Sequence, residues 1–569
     1  MLKHYFKVAL RSMKKQKVPA FINIIGLSLG IACFILFLFY AVNELSFDSF
    51  NKNASNIYRV YAQFQGRGGE GDDYSTYHPM PLGPALKRDF PDVENYIRLR
   101  DSWGESFVRI SDNDVRRVKV SYADPELFTV FSFKFIYGTP QKAFENLQSI
   151  VLTQSKAKEL FGTDNVIGRT IEIKTEDAFQ PFTVSAVTEG VPSNSSISYD
   201  AVCNFHYFET TKYGQGSVNE WYRSFLQTFV QLKSGSGLPG DVKKLAAFRR
   251  KYYPDEEQEM AKAGFKWNHS RPIATYGLQS LRAVHTDAKL GGVTVESVQP
   301  KTIWILLSIA AGLLLIACIN FTTLAIGRFA GRAKEVGVRK VIGGERRQLI
   351  FQFLSEAILL SVFSALLGLA IARFLLPYFN QLSGRQLIFS FALYPKIIWM
   401  LIGLILIVGL LAGSYPALIL SGFKPVEVLK RKIHVGGSNL FTRSLITLQF
   451  ALSIGLVIST IIILQQTKYM SSKNPGFNKD NVVMIDAADI DTKKIYPLFK
   501  QALAHNTNIV GVAGADLGLG EGEGWSKSGF EYNGKHKDVF EFFIDNDYLK
   551  VMGMQLIEGR NFNSNISSD

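Results

Sequence analysis

Five stretches of the chain are almost wholly apolar: 19–42, 302–326, 349–372, 397–420 and 444–467. A helix needs about 20 such residues to cross a hydrocarbon core of about 30 Å. Four of the five carry no Asp, Glu, Lys or Arg, and the third carries only Glu356, so membrane spans are predicted in preference to buried helices of a soluble protein. Lys14, Lys15 and Lys17 precede the first stretch, but its 24 residues exceed a signal-peptide core and no small-residue cleavage site follows. It reads as a retained anchor.

Between and after the spans the pattern changes to short periods. Ile150 to Leu152 and Thr170 to Ile173 read as strands around a helix from Gln154 to Phe161 that Gly162 ends, and Phe182 to Val187 alternates as a strand does. Asp241 is placed to cap a helix running through Tyr253, with Lys243, Lys244, Arg249, Arg250 and Lys251 in solvent. Gly66 to Asp73 and Ser234 to Gly240 read as flexible loops. The predicted fold class is a membrane protein with an α-helical bundle of five spans and α+β extracytoplasmic domains.

Charge settles the expected orientation. Residues 1–19, 327–349 and 422–443 carry +6, +5 and +4, more than the whole net charge of +14. Each adjoins a span, and all three fall on one side if the spans alternate, which is the positive-inside pattern. The expected order is a basic cytoplasmic N-terminus (1–18), span one (19–42), an extracytoplasmic domain (43–301), span two (302–326), a cytoplasmic loop (327–348) and span three (349–372). An outer loop (373–396), span four (397–420), a cytoplasmic linker (421–443), span five (444–467) and a further extracytoplasmic region (468–569) complete it. The chain is thus expected in the cell (inner) membrane in contact with lipid, and no basic excess is left to bind nucleic acid. Only Cys203 of the three cysteines lies outside a span, so no disulfide framework holds the outer domain.

The sequence also repeats. Leu27, Ser28 and Gly30 of span one match Leu452, Ser453 and Gly455 of span five. Outside the spans, residues 120–138 align without gaps to 541–559, with Asp124, Val130, Ile136 and Gly138 matching Asp545, Val551, Ile557 and Gly559. This points to two units, each a span, an outer domain and three further spans, with the second interrupted.

Residues 327–357, GRFAGRAKEVGVRKVIGGERRQLIFQFLSEA, form an amphipathic segment in which Val336, Val338, Val341 and Ile342 interleave with Arg339, Lys340, Arg346 and Arg347, broken at Gly343 and Gly344. On its physics alone it reads equally as an interfacial helix that fixes topology. The motif closely resembles the cytoplasmic loop of FtsX-like, MacB-like ABC transporter permeases of the large two-repeat type. SGFKPVEVLK (421–430), VLTQSKAKELFG, VPSNSSISYD and NELSFDSFNKNASNIYRV are similar to further segments of that family. The resemblance implies a non-catalytic subunit that couples ATP hydrolysis on a separate ABC-type ATPase dimer to motion of the outer domains. Its action, export or mechanotransmission, would fall on a peptide, lipid, lipoprotein or antibiotic. It carries the coupling role to Lys334, Glu335, Val336, Gly337, Val338, Arg339, Lys340 and Gly343, with Pro425, Val426 and Glu427 as secondary contacts. ATP and magnesium would sit on the partner, with no cofactor on this chain, and a second permease copy or a periplasmic adaptor is a further expected partner.

Catalytic alternatives find little. Residues 518–528, GLGEGEGWSKS, lack the Gly-Lys-Ser order of a P-loop, no HExxH or Gly-x-Ser-x-Gly occurs, and His78, His206, His269 and His285 are scattered. Glu356 is expected to pair with Arg346 or Arg347 or to reach interfacial water, and Asn320 and Gln352 to hydrogen-bond between helices. A ligand-binding membrane sensor or scaffold without an ATPase is the competing reading.

Overall fold

The computed structural model describes residues 17–65, 71–101, 105–176, 178–262, 267–327, 336, 338, 340–343, 345–389, 396–422, 440–485, 487, 492–516, 526–532, 535–563 and 566. Two compact units result, one of Met1–Ser46 with Val298–Ser471 and one of Phe47–Ser297 with Ser472–Asp569.

The first unit is helical. Its five long apolar helices are Lys17–Leu45, Pro300–Gly327, Arg346–Ser383, Lys396–Gly422 and Leu440–Ser472, and each is long and apolar enough to cross a membrane. Small residues let the first four approach closely. A Cβ added to Gly368 of span three would come within 2.9 Å of the Ser28 carbonyl oxygen of span one. One added to Gly413 of span four would lie 2.5 Å from the Ala357 Cβ of span three, and one added to Gly30 of span one 3.1 Å from the Ala317 Cβ of span two. Side-chain hydrogen bonds cross between helices from Ser361 to the Ile405 carbonyl (3.0 Å) and from Thr322 to the Ala412 carbonyl (3.2 Å). Ser361 and Thr322 join the expected Asn320 and Gln352 as polar side chains within the spans. Span five is hardly buried, and its Phe441 ring stacks 4.0 Å from Tyr415 of span four.

Span three departs from expectation. It runs through Pro377 to Ser383, eleven residues beyond the predicted end at Ala372, and the 38-residue helix is about 57 Å long. The polar residues Arg373, Asn380 and Gln381 hid this from a hydropathy reading, because a helix continues outside hydrocarbon once its apolar stretch is complete. Gly384, at φ +63°, ends it in the left-handed region.

The second unit is α+β. Its strands β1 (Ile57–Phe64), β2 (Asp73–Ser75), β3 (Val93–Arg100), β4 (Ser106–Ser111), β5 (Asp114–Val118), β6 (Val120–Ala123), β7 (Phe135–Tyr137), β8 (Ser149–Thr153), β9 (Thr170–Thr175), β10 (Ala178–Thr188), β11 (Ala201–Asn204), β12 (Gln227–Leu232) and β13 (Ala274–Ser280) join one sheet among the described residues. The order is β13-β1-β12-β3-β6-β11-β8-β10-β9-β4-β5, with β2 on β1 and β7 on β10. The central β8 is buried at every residue. Ile150 and Leu152 enter one apolar cluster with Cys203 and Phe205, while the intervening Val151 enters another with Val202 and Phe229, so both faces of the sheet are covered. A third cluster around Leu245, Phe248 and Tyr276 packs on the β13-β1-β12-β3 end of the same sheet.

Local signals hold where they carry a mechanism. Thr153 caps the helix Gln154–Phe161 by accepting from the Lys156 amide, and Gly162 ends it at φ +72°. Asp241 accepts from the Lys244 amide and caps Val242–Tyr252. Arg249 is a correction: instead of lying in solvent its side chain is 6% exposed, paired with Glu256 and set over the rings of Tyr253 and Tyr276. Asp73 belongs to β2 and not to a loop, while residues 66–70 of that expected loop lie outside the described residues.

The matched segments share geometry as well as sequence. Leu127–Val130 and Tyr548–Val551 are single helical turns at aligned positions. The Asp124 amide donates to the Arg98 carbonyl and the Asp545 amide to the Gly514 carbonyl, while Leu127 and Tyr548 donate back to the two aspartates. Gly138 and Gly559 lie at φ +83° and +88°. In the second segment β14 (Ser526–Tyr532) pairs with β15 (Lys535–Glu541).

Candidate functional site

Of residues 334–343, at the centre of the family's loop motif, 336, 338 and 340–343 are described, and Val336, Val338, Lys340 and Val341 lie in helix. The Ile342 amide donates to the Val338 carbonyl and the Gly343 amide to Lys340, after which Gly343 turns at φ +98°. Only glycine takes that angle without strain, so the motif's glycine ends the helix. Span three then starts within three residues, with the Glu345 carbonyl accepting from Gln348.

Two cations tie this turn to the end of span four. Lys340 Nζ donates to the Ser421 carbonyl at 2.6 Å, and Arg346 Nε lies 3.4 Å from Ser421 Oγ. Ser421 is fully buried and its hydroxyl donates to Leu418. A C-terminal helix turn presents unpaired carbonyls and a partial negative charge, so cations are favoured there. The loop between spans two and three is therefore held to the helix that opens the SGFKPVEVLK segment. The sequence reading missed Ser421, because a serine after an apolar span carries no signal until its carbonyl is seen to be the anchor.

The apolar positions divide into two sets. Val336 is buried, whereas Val338, Val341 and Ile342 are 49%, 64% and 80% exposed. Exposed apolar side chains beside a fixed helix end are what a protein partner's groove takes up. Lys334, Glu335, Gly337, Arg339, Pro425, Val426 and Glu427 lie outside the described residues.

Among the described residues no group of three or more His, Cys, Asp or Glu is placed to hold a metal. His78 is buried with Nε2 3.0 Å from the Val60 carbonyl, His206 pairs with Glu209, and His285 stacks on Phe47. Residues 518–525 of the glycine-rich stretch lie outside the described residues and 526–528 begin β14. Glu356 is half-buried within span three.

The comparisons agree with this division. Residues 20–246 match the MacB-like periplasmic core domain and residues 307–425 the FtsX-like permease C-terminal domain. The chain is 34% identical over 126 residues to the macrolide export ATP-binding/permease protein MacB of Bdellovibrio bacteriovorus, covering 22% of this chain and 19% of that one. It is 22% identical over 440 residues to the MacB of Acinetobacter baylyi, covering 76% and 60%. It is 22% identical over 443 residues to the uncharacterized ABC transporter permease YvrN of Bacillus subtilis, covering 76% of this chain and 100% of YvrN. The chain thus spans three fifths or less of the length of these MacB relatives. Among solved structures it is similar to a domain of a putative permease from Porphyromonas gingivalis, at 19% identity and TM-score 0.34 over 45% of this chain and 98% of that one. The periplasmic region of MacB from Actinobacillus actinomycetemcomitans matches at 14% identity and TM-score 0.26, over 38% and 87%. The chain thus carries the two domains of an FtsX-like, MacB-like ABC transporter permease: a MacB-like periplasmic core match that runs from span one into the large domain, and an FtsX-like permease match across spans two to four.

Proposed function

We propose that this permease is a non-catalytic subunit that couples ATP hydrolysis on a separate ABC-type ATPase dimer to motion of its extracytoplasmic domains. The N-terminus and the loops after spans two and four are cytoplasmic, and the domain between spans one and two faces outward. The substrate class is a peptide, lipid, lipoprotein or antibiotic, in keeping with the macrolide export named for the MacB relatives.

The observation that carries the reading is the convergence of Lys340 and Arg346 on Ser421, with Val338, Val341 and Ile342 left exposed beside it. A push on that apolar face reaches spans three and four together. Reversing both Glu335 and Arg339 is the test, with the permease in nanodiscs and an ABC-type ATPase that co-purifies with it. The expected result is loss of stimulated ATP hydrolysis with membrane insertion unchanged; full stimulation by the double variant would overturn the reading.

A further inference from the structure

Two lengths of chain connect the large domain to the membrane helices: residues 47–51, which follow span one, and residues 291–297, which precede span two. Both are fastened to one short segment, 194–198. On the first connection the Asp48 amide donates to the Asn194 carbonyl (2.8 Å), and the Ser196 amide donates to Asp48 Oδ1 (3.0 Å). On the second, the Thr294 amide and hydroxyl both donate to the Ser196 carbonyl (3.2 and 3.1 Å), and Thr294 Oγ1 accepts from the Ser198 amide (2.6 Å). Arg59, fully buried in β1, adds bonds from its two terminal nitrogens to the carbonyls of Gly291 and Gly292, each 2.8 Å.

Asp48 is the unusual member. It is 1% exposed, its backbone is held at φ +56°, and its second carboxylate oxygen has no hydrogen-bond partner among the described residues. A non-glycine residue at positive φ is strained, and a buried carboxylate with an unsatisfied oxygen is destabilised when charged. Both costs fall if the joint opens and water reaches the carboxylate.

We infer that the joint of Asp48, Ser196 and Thr294 is a proton-linked lock on the two connections: opening it hydrates the Asp48 carboxyl, which gives its proton to water. Burial raises this carboxyl from 3.8 to about 6, opposed by hydrogen bonding from Ser196. The titratable groups around it are turned elsewhere. His285 stacks on Phe47, Arg59 binds Gly291 and Gly292, Asp287 accepts from Gln279, the Tyr199 hydroxyl donates to Thr188, and Glu296 is exposed. None of these charges enters the balance at Asp48.

The sign follows from linkage. The closed joint binds the proton more tightly than the open one, so protonation favours closure, and opening becomes easier as pH rises through the window between 3.8 and about 6. The whole change in the opening constant is roughly 100-fold. Its use as regulation rests on the permease reading, but the linkage itself does not.

The test is amide hydrogen exchange on the full chain in nanodiscs without any ATPase, from pH 4 to 7.5 and corrected for intrinsic rates. The Ser196 and Thr294 amides are expected to open roughly 100-fold more at the upper end, while the Thr183 amide, bonded to Gln148 within the sheet, stays level. Asp48→Asn should flatten the dependence. A flat profile in the natural chain, or an unchanged slope in Asp48→Asn, overturns the inference. Should that variant fail to fold, the carboxyl carbon of Asp48 is followed by NMR in the natural chain, where a midpoint near 4 overturns it and one near 6 supports it. An intact pH profile in a permease that no ATPase responds to would sink only the function proposed above.

Discussion

Glu44 and Arg385, 341 residues apart, form a two-pronged ion pair, Nε to Oε1 at 2.9 Å and a terminal nitrogen to Oε2 at 3.3 Å. The Glu44 side chain is 0% exposed and that of Arg385 14%. Glu44 closes span one, and Arg385 follows the left-handed Gly384 that ends span three, in a turn folded back by Asn380 bonds to Leu387. Removing one partner leaves a buried charge alone, which costs about 3–5 kcal/mol. Either Glu44→Ala or Arg385→Ala should therefore lower the unfolding midpoint in detergent, and the exchanged pair Glu44→Arg with Arg385→Glu should recover part of it. Equal stability of both single variants and the natural chain would count against a paired role.

Helix crossing gives a second prediction. Gly413→Ala should cost about 1–3 kcal/mol, because the new methyl meets Ala357 at 2.5 Å between helix backbones. Gly312→Ala and Gly403→Ala, where a Cβ meets nothing within 4 Å, serve as controls and should be neutral or slightly stabilising. Thermal unfolding of the three variants side by side decides it.

His78 should make the large domain acid-sensitive. Burial lowers its pKa from 6.5 to about 4, with the Val60 carbonyl opposing, so the folded state prefers it neutral. A depressed base contributes stability fully present above 6.5 and lost as pH falls toward 4, roughly 3 kcal/mol in all. The opposite trend is expected from Asp48, so the two are separated by comparing natural chain and His78→Gln across pH 4 to 7.5. An unchanged acid limb in His78→Gln would exclude this histidine as its source.

At the loop, Ile342→Asp should abolish stimulation of the ATPase without lowering the amount of permease in the membrane, since the side chain is 80% exposed. Lys340→Ala acts differently: by freeing the turn from Ser421 it should reduce stimulation while leaving ATPase binding within a few-fold. Co-purification measured beside ATP turnover distinguishes the two.

The sequence disclosed most where a residue's chemistry is local. Gly162, Asp241 and Gly343 act on the turns they sit in, and their effects were legible from spacing alone. Long-range partners were not. Arg249 looked like one more cation on a solvated helix, and only Glu256 seven residues on, with two tyrosines, makes a buried place for it. Span three looked shorter than it is because hydropathy marks where lipid ends, whereas the helix ends where Gly384 lets it. The loop was legible as a motif, but what anchors it is the backbone carbonyl of Ser421, and every residue has a carbonyl.

The strands nearest the two membrane connections, β1 and β13, are direct neighbours, paired antiparallel from Tyr58 with Ser280 to Phe64 with Ala274. A folded body whose entry and exit lie side by side is a cassette: it can be lengthened, shortened or grafted between two adjacent helices with little change in the closure entropy of the host. A chimaera cut just outside β1 and β13 is therefore expected to exchange this insert while leaving the helical frame intact.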